Sequence, residues 1–173
     1  ANAILFNFFI FIAYILDGYS HAAEALVGEA VGARDVRSFG QAVMAAARGA
    51  LIGAVILSIV LWLVGPLTID IITTVEGVRN ETRLYLPWMI AMPLMSVWSF
   101  LLDGIFIGGT WSRQMRNGMI QAALIYVAVL AVFVPIWGNH GLWLAVTIFL
   151  VARAFTLALP YRRLVQTVGH PSS

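Results

Sequence analysis

Apolar residues gather into five long runs, at 3–31, 39–64, 84–110, 118–137 and 142–161. Each is at least as long as the ~20 residues that carry a helix across a bilayer. Strands of a membrane barrel need only ~10 residues and alternate polar with apolar positions; these runs are too long and too continuously apolar for that. Short polar breaks separate them: Gly32 to Arg37, Thr73 to Arg83, Trp111 to Asn117, and the tight turn Gly138-Asn139-His140-Gly141. Gly65-Pro66 marks the end of the second run, and Pro87 and Pro93 lie inside the third. No soluble domain or low-complexity linker interrupts the pattern. The expected fold is all-α: one polytopic membrane bundle of five transmembrane helices over residues 1–164, followed by a frayed polar tail at 165–173.

Composition decides for lipid over water. The chain is 61% hydrophobic and 10% charged, against roughly 25% charged in soluble domains. It contains no cysteine, which excludes disulfides, thiolate metal sites and thiol catalysis. Every basic residue is an arginine. No basic stretch with interleaved aromatics is present, so nucleic acid is not an expected partner. The arginines instead report orientation. Arg34 and Arg37, Arg113 and Arg116, and Arg162 and Arg163 mark alternate ends of the runs, and cytoplasmic loops carry the excess of such residues. Trp62, Trp88, Trp137 and Trp143 then fall near the outer ends and Trp111 near an inner end, as interfacial rings should; Trp98 alone falls mid-span. The chain opens Ala1-Asn2-Ala3 and is apolar at once, with no initiator Met or charged leader. It reads as part of a longer protein rather than as a signal peptide.

The informative residues are those that are costly in a membrane. An Asp at mid-bilayer costs roughly 2.5–3.5 kcal/mol, so Asp17 should face a bundle interior or a wet cavity. Tyr14, His21, Glu24 and Gly28 share its helical face at spacings of three and four. The stripe is a candidate proton or substrate path, or a satisfied structural network. Asp103 is the second such acid, followed by Gly104 and Gly108 at the GxxxG spacing that lets two helix backbones meet. A carboxyl group out of water favours its neutral form, and a nearby cation favours the charged one; a group between those influences suits proton exchange. Arg48 and Arg153 lie within apolar runs and call for structural ion pairs: Arg48 with Glu24 or Glu29, Arg153 with Asp103 or Asp17. Asp70, near the outer end of the second run, reads as solvated.

Catalytic signatures are missing. There is no HExxH, GxSxG or P-loop, and His21, His140 and His170 lack metal-ligand spacing. Leu16-Asp17-Gly18 and Leu102-Asp103-Gly104 lack the flanks of an intramembrane aspartyl protease. Neither an enzyme, a metal nor a cofactor is expected.

The stretch from Ala13 to Asp35, AYILDGYSHAAEALVGEAVGARD, resembles the DinF branch of the multidrug and toxic compound extrusion (MATE) transporters. So do Leu101 to Gly108 with Met115-Arg116-Asn117, and Gly138 to Ala145. Together these blocks cover nearly the whole chain in order. The resemblance implies helices eight to twelve of a twelve-helix fold, most of its second lobe, in a multi-pass protein of the inner (plasma) membrane. The implied partners are the bilayer, the N-terminal lobe of the same protein, a small organic substrate, and a proton as coupling ion, with sodium the alternative. The implied function is efflux of amphipathic, often cationic, organic compounds in exchange for protons by alternating access. In the family, an acid of helix ten is implicated in cation coupling in some branches, and Asp103 falls on it. The helix-seven acid and the first-helix Asp of the DinF branch lie before residue 1. Asp103, Asp17, Tyr14, His21 and Glu24 are the substrate or proton-coupling candidates. Two alternatives share the architecture: a lipid or lipid-linked-sugar flippase, which Arg48 and Arg153 would suit, and a bundle subunit without transport.

The orientation is checked by single cysteines, since the chain has none of its own. Cysteines at 34, 113 and 163 should label from one side of intact membranes, and those at 76 and 139 from the other. Labelling of 34 and 76 from the same side would refute the topology.

Overall fold

A computed structural model describes residues 1–169. Among them are five helices: α1 Asn2–Gly32, α2 Val36–Ile72, α3 Glu76–Gly108, α4 Ser112–Trp137 and α5 Asn139–Thr167. All five are long and apolar enough to cross a membrane, the only open-ended solution that satisfies every backbone group in lipid. Successive helices run antiparallel, so α1, α3 and α5 point the same way. The reciprocal amide pair of Asn2 and Asn139, at 2.8 and 2.7 Å, ties together the starts of α1 and α5.

The helices outrun the apolar runs. α2 does not stop at Gly65-Pro66 but continues to Ile72. A proline inside a helix removes one backbone donor, and in α2 the Thr68 hydroxyl donates to the Val64 carbonyl beside it at 3.0 Å. The polar stretch from Glu76 to Arg83 is the first part of α3, not a loop. At 37 residues α2 is about 55 Å long, longer than the bilayer with its headgroups, so its ends stand in water where hydropathy no longer marks a helix. α5 likewise runs to Thr167, past the expected start of the tail. His170 and the last residues lie outside those described.

The turns on the arginine-rich side share one design. Arg34 and Thr110 both adopt left-handed backbone, at φ 55° and 58°. Asp35 N–H donates to Ala30 and Arg34 N–H to Val31; Trp111 N–H donates to Phe106 and Thr110 N–H to Ile107. These are matching Schellman closures. Asp35 then caps α2 by accepting from Arg37 N–H at 2.9 Å and Ser38 N–H at 3.2 Å. The Ser38 hydroxyl, followed by its backbone N–H, holds the Asp35 carboxyl below the usual carboxylate range. At the opposite end Asp70 is not simply solvated. It accepts from Arg83 at 2.6 Å through both oxygens, while Arg79 donates to the Thr73 carbonyl at 3.1 Å. The α2–α3 turn is therefore closed by Arg79 on carbonyls at the end of α2 and by Arg83 on the Asp70 carboxylate.

Packing centres on α3. Its most extensive contact is with α1, and it also packs on α2 and α5. α4 lies outside, against α5, and buries only Gly118 and Ala122. Where α1 meets α3 the backbones touch. A Cβ added to Gly104 would overlap the Ser20 carbonyl, and one added to Gly108 would come to 2.5 Å from the Glu24 oxygen. Gly28 faces Gly108 from the other side. Without bulky side chains between them, two helices gain close van der Waals contact, the main source of association in lipid. A second such seat lies on α2, where Gly49 and Gly53 receive the Tyr19 ring.

These contacts predict opposite signs for the same substitution. Gly104→Ala and Gly108→Ala should destabilise by about 1–3 kcal/mol or more, the cost of overpacking. Gly18→Ala, with nothing within 4 Å of the added carbon, should be neutral or stabilising by up to ~1 kcal/mol. Melting of the purified full-length protein checks this; equal effects at positions 18 and 104 would contradict the close contact.

Candidate functional site

Asp103 sits on α3 one residue before Gly104. The glycine face lies on α1, and Asp103, a further 100° around the helix, reaches α5. There the Arg153 Nη2 donates to its Oδ2. The pair is well covered: the side chains are 8% and 14% exposed. Two charges out of water are tolerable when they meet each other and find further hydrogen bonds. Here the second requirement is half met. Asp103 Oδ1 and Arg153 Nε are buried and have no hydrogen-bond partner among the described residues. Beside the pair a cavity of about 620 Å³ opens between α2, α3 and α5, lined by apolar groups that include Met95, Trp98, Leu102, Phe155 and Tyr161. Neither Asp103 nor Arg153 lines it.

The stripe on α1 is placed differently. His21 lies 3.4 Å from both Asp17, through Nε2, and Glu24, through Nδ1, so these three residues form one cluster. It does not face the interior of the five helices, as the cost of Asp17 in lipid suggested. Asp17 is 51% and His21 70% exposed, and Tyr14 is exposed as well. The reason is geometric: α1 turns Leu16, Ser20, Ala23 and Val27 inward, and Tyr14, Asp17 and His21 occupy the opposite side. The stripe reaches the α3 contact through the backbone of Glu24 and at Gly28. The pairing expected of Arg48 also fails. Arg48 is exposed on α2 and makes no ion pair with Glu24, Glu29 or any other acid among the described residues.

One cluster escaped sequence reasoning. The Trp88 indole N–H donates to His140 Nδ1 at 3.1 Å, and the Tyr85 ring lies 4.6 Å from the imidazole. Indole only donates, so the imidazole Nδ1 is the acceptor in this bond. The available signal was Trp88 and His140 both falling at outer ends; spacing along the chain could not bring α3 to the start of α5. At the other end Phe39, Trp111 and Tyr161 form an aromatic cluster, with Trp111 at 6.1 Å and Tyr161 at 6.4 Å from Phe39. It joins α2, the α3–α4 turn and α5.

Comparison with known proteins matches residues 1–132 to the family MatE. The chain is also 41% identical, over 162 residues and 94% of its length, to the DNA damage-inducible protein F of Escherichia coli (strain K12). It spans about a third (35%) of the length of that relative. No solved structure matches it.

The buried pair carries its own test. Removing one partner leaves an uncompensated buried charge, so Arg153→Met alone should cost about 3–5 kcal/mol, while Arg153→Met with Asp103→Leu should recover most of that loss. Thermal unfolding of the full-length variants measures both. A double variant no better than the single one would show that the two side chains are not coupled.

Proposed function

Because the chain belongs to the MatE family, we propose that it is part of a secondary efflux transporter, exporting amphipathic, often cationic, organic compounds in exchange for protons by alternating access. It is a multi-pass protein of the inner membrane. The observation that carries the reading is the buried Asp103–Arg153 pair with one unpartnered oxygen and one unpartnered nitrogen. A carboxylate held by a guanidinium can exchange that partner for a proton. Its charge and its hydrogen bonds then both change, and helices that were held by the pair can separate. Arg153 serves as the internal counter-ion that Asp103 takes up when its proton leaves. Pro93 and Pro87, about three and about four and a half turns before Asp103 in α3, each remove a backbone bond and supply places for that helix to bend.

The Asp17, His21 and Glu24 cluster, with Tyr14 beside it, belongs in this proposal to the cavity between lobes. It is exposed on these five helices, and in a protein about three times as long, further helices would face it. Acids there suit a cationic substrate. A flippase for lipid-linked sugars would instead need a basic cavity for a diphosphate; Arg48 points that way, but the exposed stripe is acidic. Sodium in place of the proton is the other coupling ion that a carboxylate could serve.

Efflux by the full-length protein over a range of pH is the test. Asp103→Asn should abolish proton coupling, and Asp103→Glu should retain part of it with a shifted pH profile. Asp17→Asn should lower efflux more than expression. Transport by Asp103→Asn equal to the parent at every pH would make Asp103 a structural acid; an unchanged proton dependence with a new sodium dependence would reassign the ion.

A further inference from the structure

A groove of about 430 Å³ runs between the first half of α4 and the second half of α5, at the arginine-rich end. Its polar lining comes from Gln114, Asn117 and Gln121 on α4 and from Thr156 and Arg163 on α5; no acid among the described residues lines it. The three amides fall at i, i+3 and i+7 and so make one stripe. They are out of place on that helix, whose remaining surface carries exposed Ile120, Leu124 and Val127. By helical rise Gln121 lies about 13 Å from Ser112, deeper than an interfacial side chain needs to be. Unpaired amides at lipid-facing depth cost several kcal/mol unless something polar meets them. Among the described residues the polar bond that crosses this groove is from the Thr156 hydroxyl to the Gly118 carbonyl, at 3.2 Å. It leaves the amides and the Arg163 guanidinium unused.

We propose that the groove binds the headgroup of an anionic phospholipid from the leaflet on the arginine-rich side, its acyl chains lying along α4. Charge argues for an anion: Arg163 lines the groove, Arg113, Arg116 and Arg162 flank it in sequence, and among the described residues no carboxylate lines it to meet the ammonium of a zwitterionic headgroup. A guanidinium holds a phosphodiester through two parallel N–H bonds, and basic pockets between membrane helices on the cytoplasmic side favour such lipids. The amide stripe leads inward from Arg163 and offers donors to the phosphate and glycerol ester oxygens. The exposed apolar flank of α4 argues for a lipid over a free anion, because it provides for the chains.

Native mass spectrometry of the full-length protein, delipidated and then titrated with phosphatidylglycerol or phosphatidylcholine, reads the site. The parent should retain phosphatidylglycerol in preference to phosphatidylcholine. Arg163→Gln should lower that retention about fivefold, the factor expected for one basic group at a charged lipid surface. Gln121→Leu should lower it too, Arg163→Lys less, and Arg116→Gln, outside the lining, least. Equal melting temperatures in phosphatidylcholine establish that the variants are folded. Undiminished retention in Arg163→Gln, no preference between the two lipids, or full displacement by millimolar inorganic phosphate would each overturn the proposal. So would a parent that retains no lipid, the outcome if another segment of the protein fills the groove.

Discussion

Gly104 and Gly108 let α3 lie directly on the carbonyls of Ser20 and Glu24 in α1. In lipid, where apolar burial gives helices little reason to associate, such close approach is the main attraction available. The contact also fixes rotation. Once the glycine face of α3 is committed to α1, Asp103 has to turn towards α5, and its burial then requires the guanidinium of Arg153. Helix association, the position of the buried acid and the choice of its partner thus follow from two residues without side chains. The glycines also lead into the Schellman closure at Gly109 and Thr110, which returns the chain into α4.

The membrane class and the number of helices were legible because length and continuous apolarity are direct consequences of bilayer thickness. The helix ends were not. Pro66 and the polar residues 76–83 look like interruptions, yet a helix that has left the hydrocarbon needs no apolar side chains, and Thr68, Arg79 and Arg83 supply the local hydrogen bonds. Of the site, the cost of Asp103 and Arg153 was readable from either residue alone. That they meet each other, rather than Arg153 meeting Asp17, depends on which faces α3 and α5 share. Periodicity correctly grouped Asp17, His21 and Glu24, but periodicity identifies a face and says nothing of what covers it. Arg48 illustrates the same limit: a charge in an apolar run needs an environment, and on α2 that environment is the exposed surface rather than Glu24 or Glu29.

The pair is not a strong clamp. Two desolvated ions attract strongly, but the desolvation cost is of similar size, and apolar replacements of equal volume are often no less stable. With one oxygen and one nitrogen left without partners, the arrangement retains unmet hydrogen-bonding capacity in a place where water is scarce. That is poor design for a purely structural link and good design for a contact that must be remade. A fully satisfied network would hold the helices in one arrangement; a half-satisfied one lies closer in energy to its alternatives.

The contacts of α3 differ in kind on its two sides. Towards α1 they are backbone against backbone, at Gly104 and Gly108, and no proton alters them. Towards α5, among the described residues, they are two side-chain polar contacts. Five residues from the end of α3, Asp103 accepts from Arg153 at the middle of α5. Near the outer end the Trp88 indole N–H donates to His140 Nδ1, and the Tyr85 ring lies against the imidazole. The join to α1 therefore rests on backbone contact, and the join to α5 on two separate side-chain contacts. Pro93 lies between these two contacts and Pro87 next to the outer one, so the segment of α3 that links them has lost backbone hydrogen bonds that would resist bending.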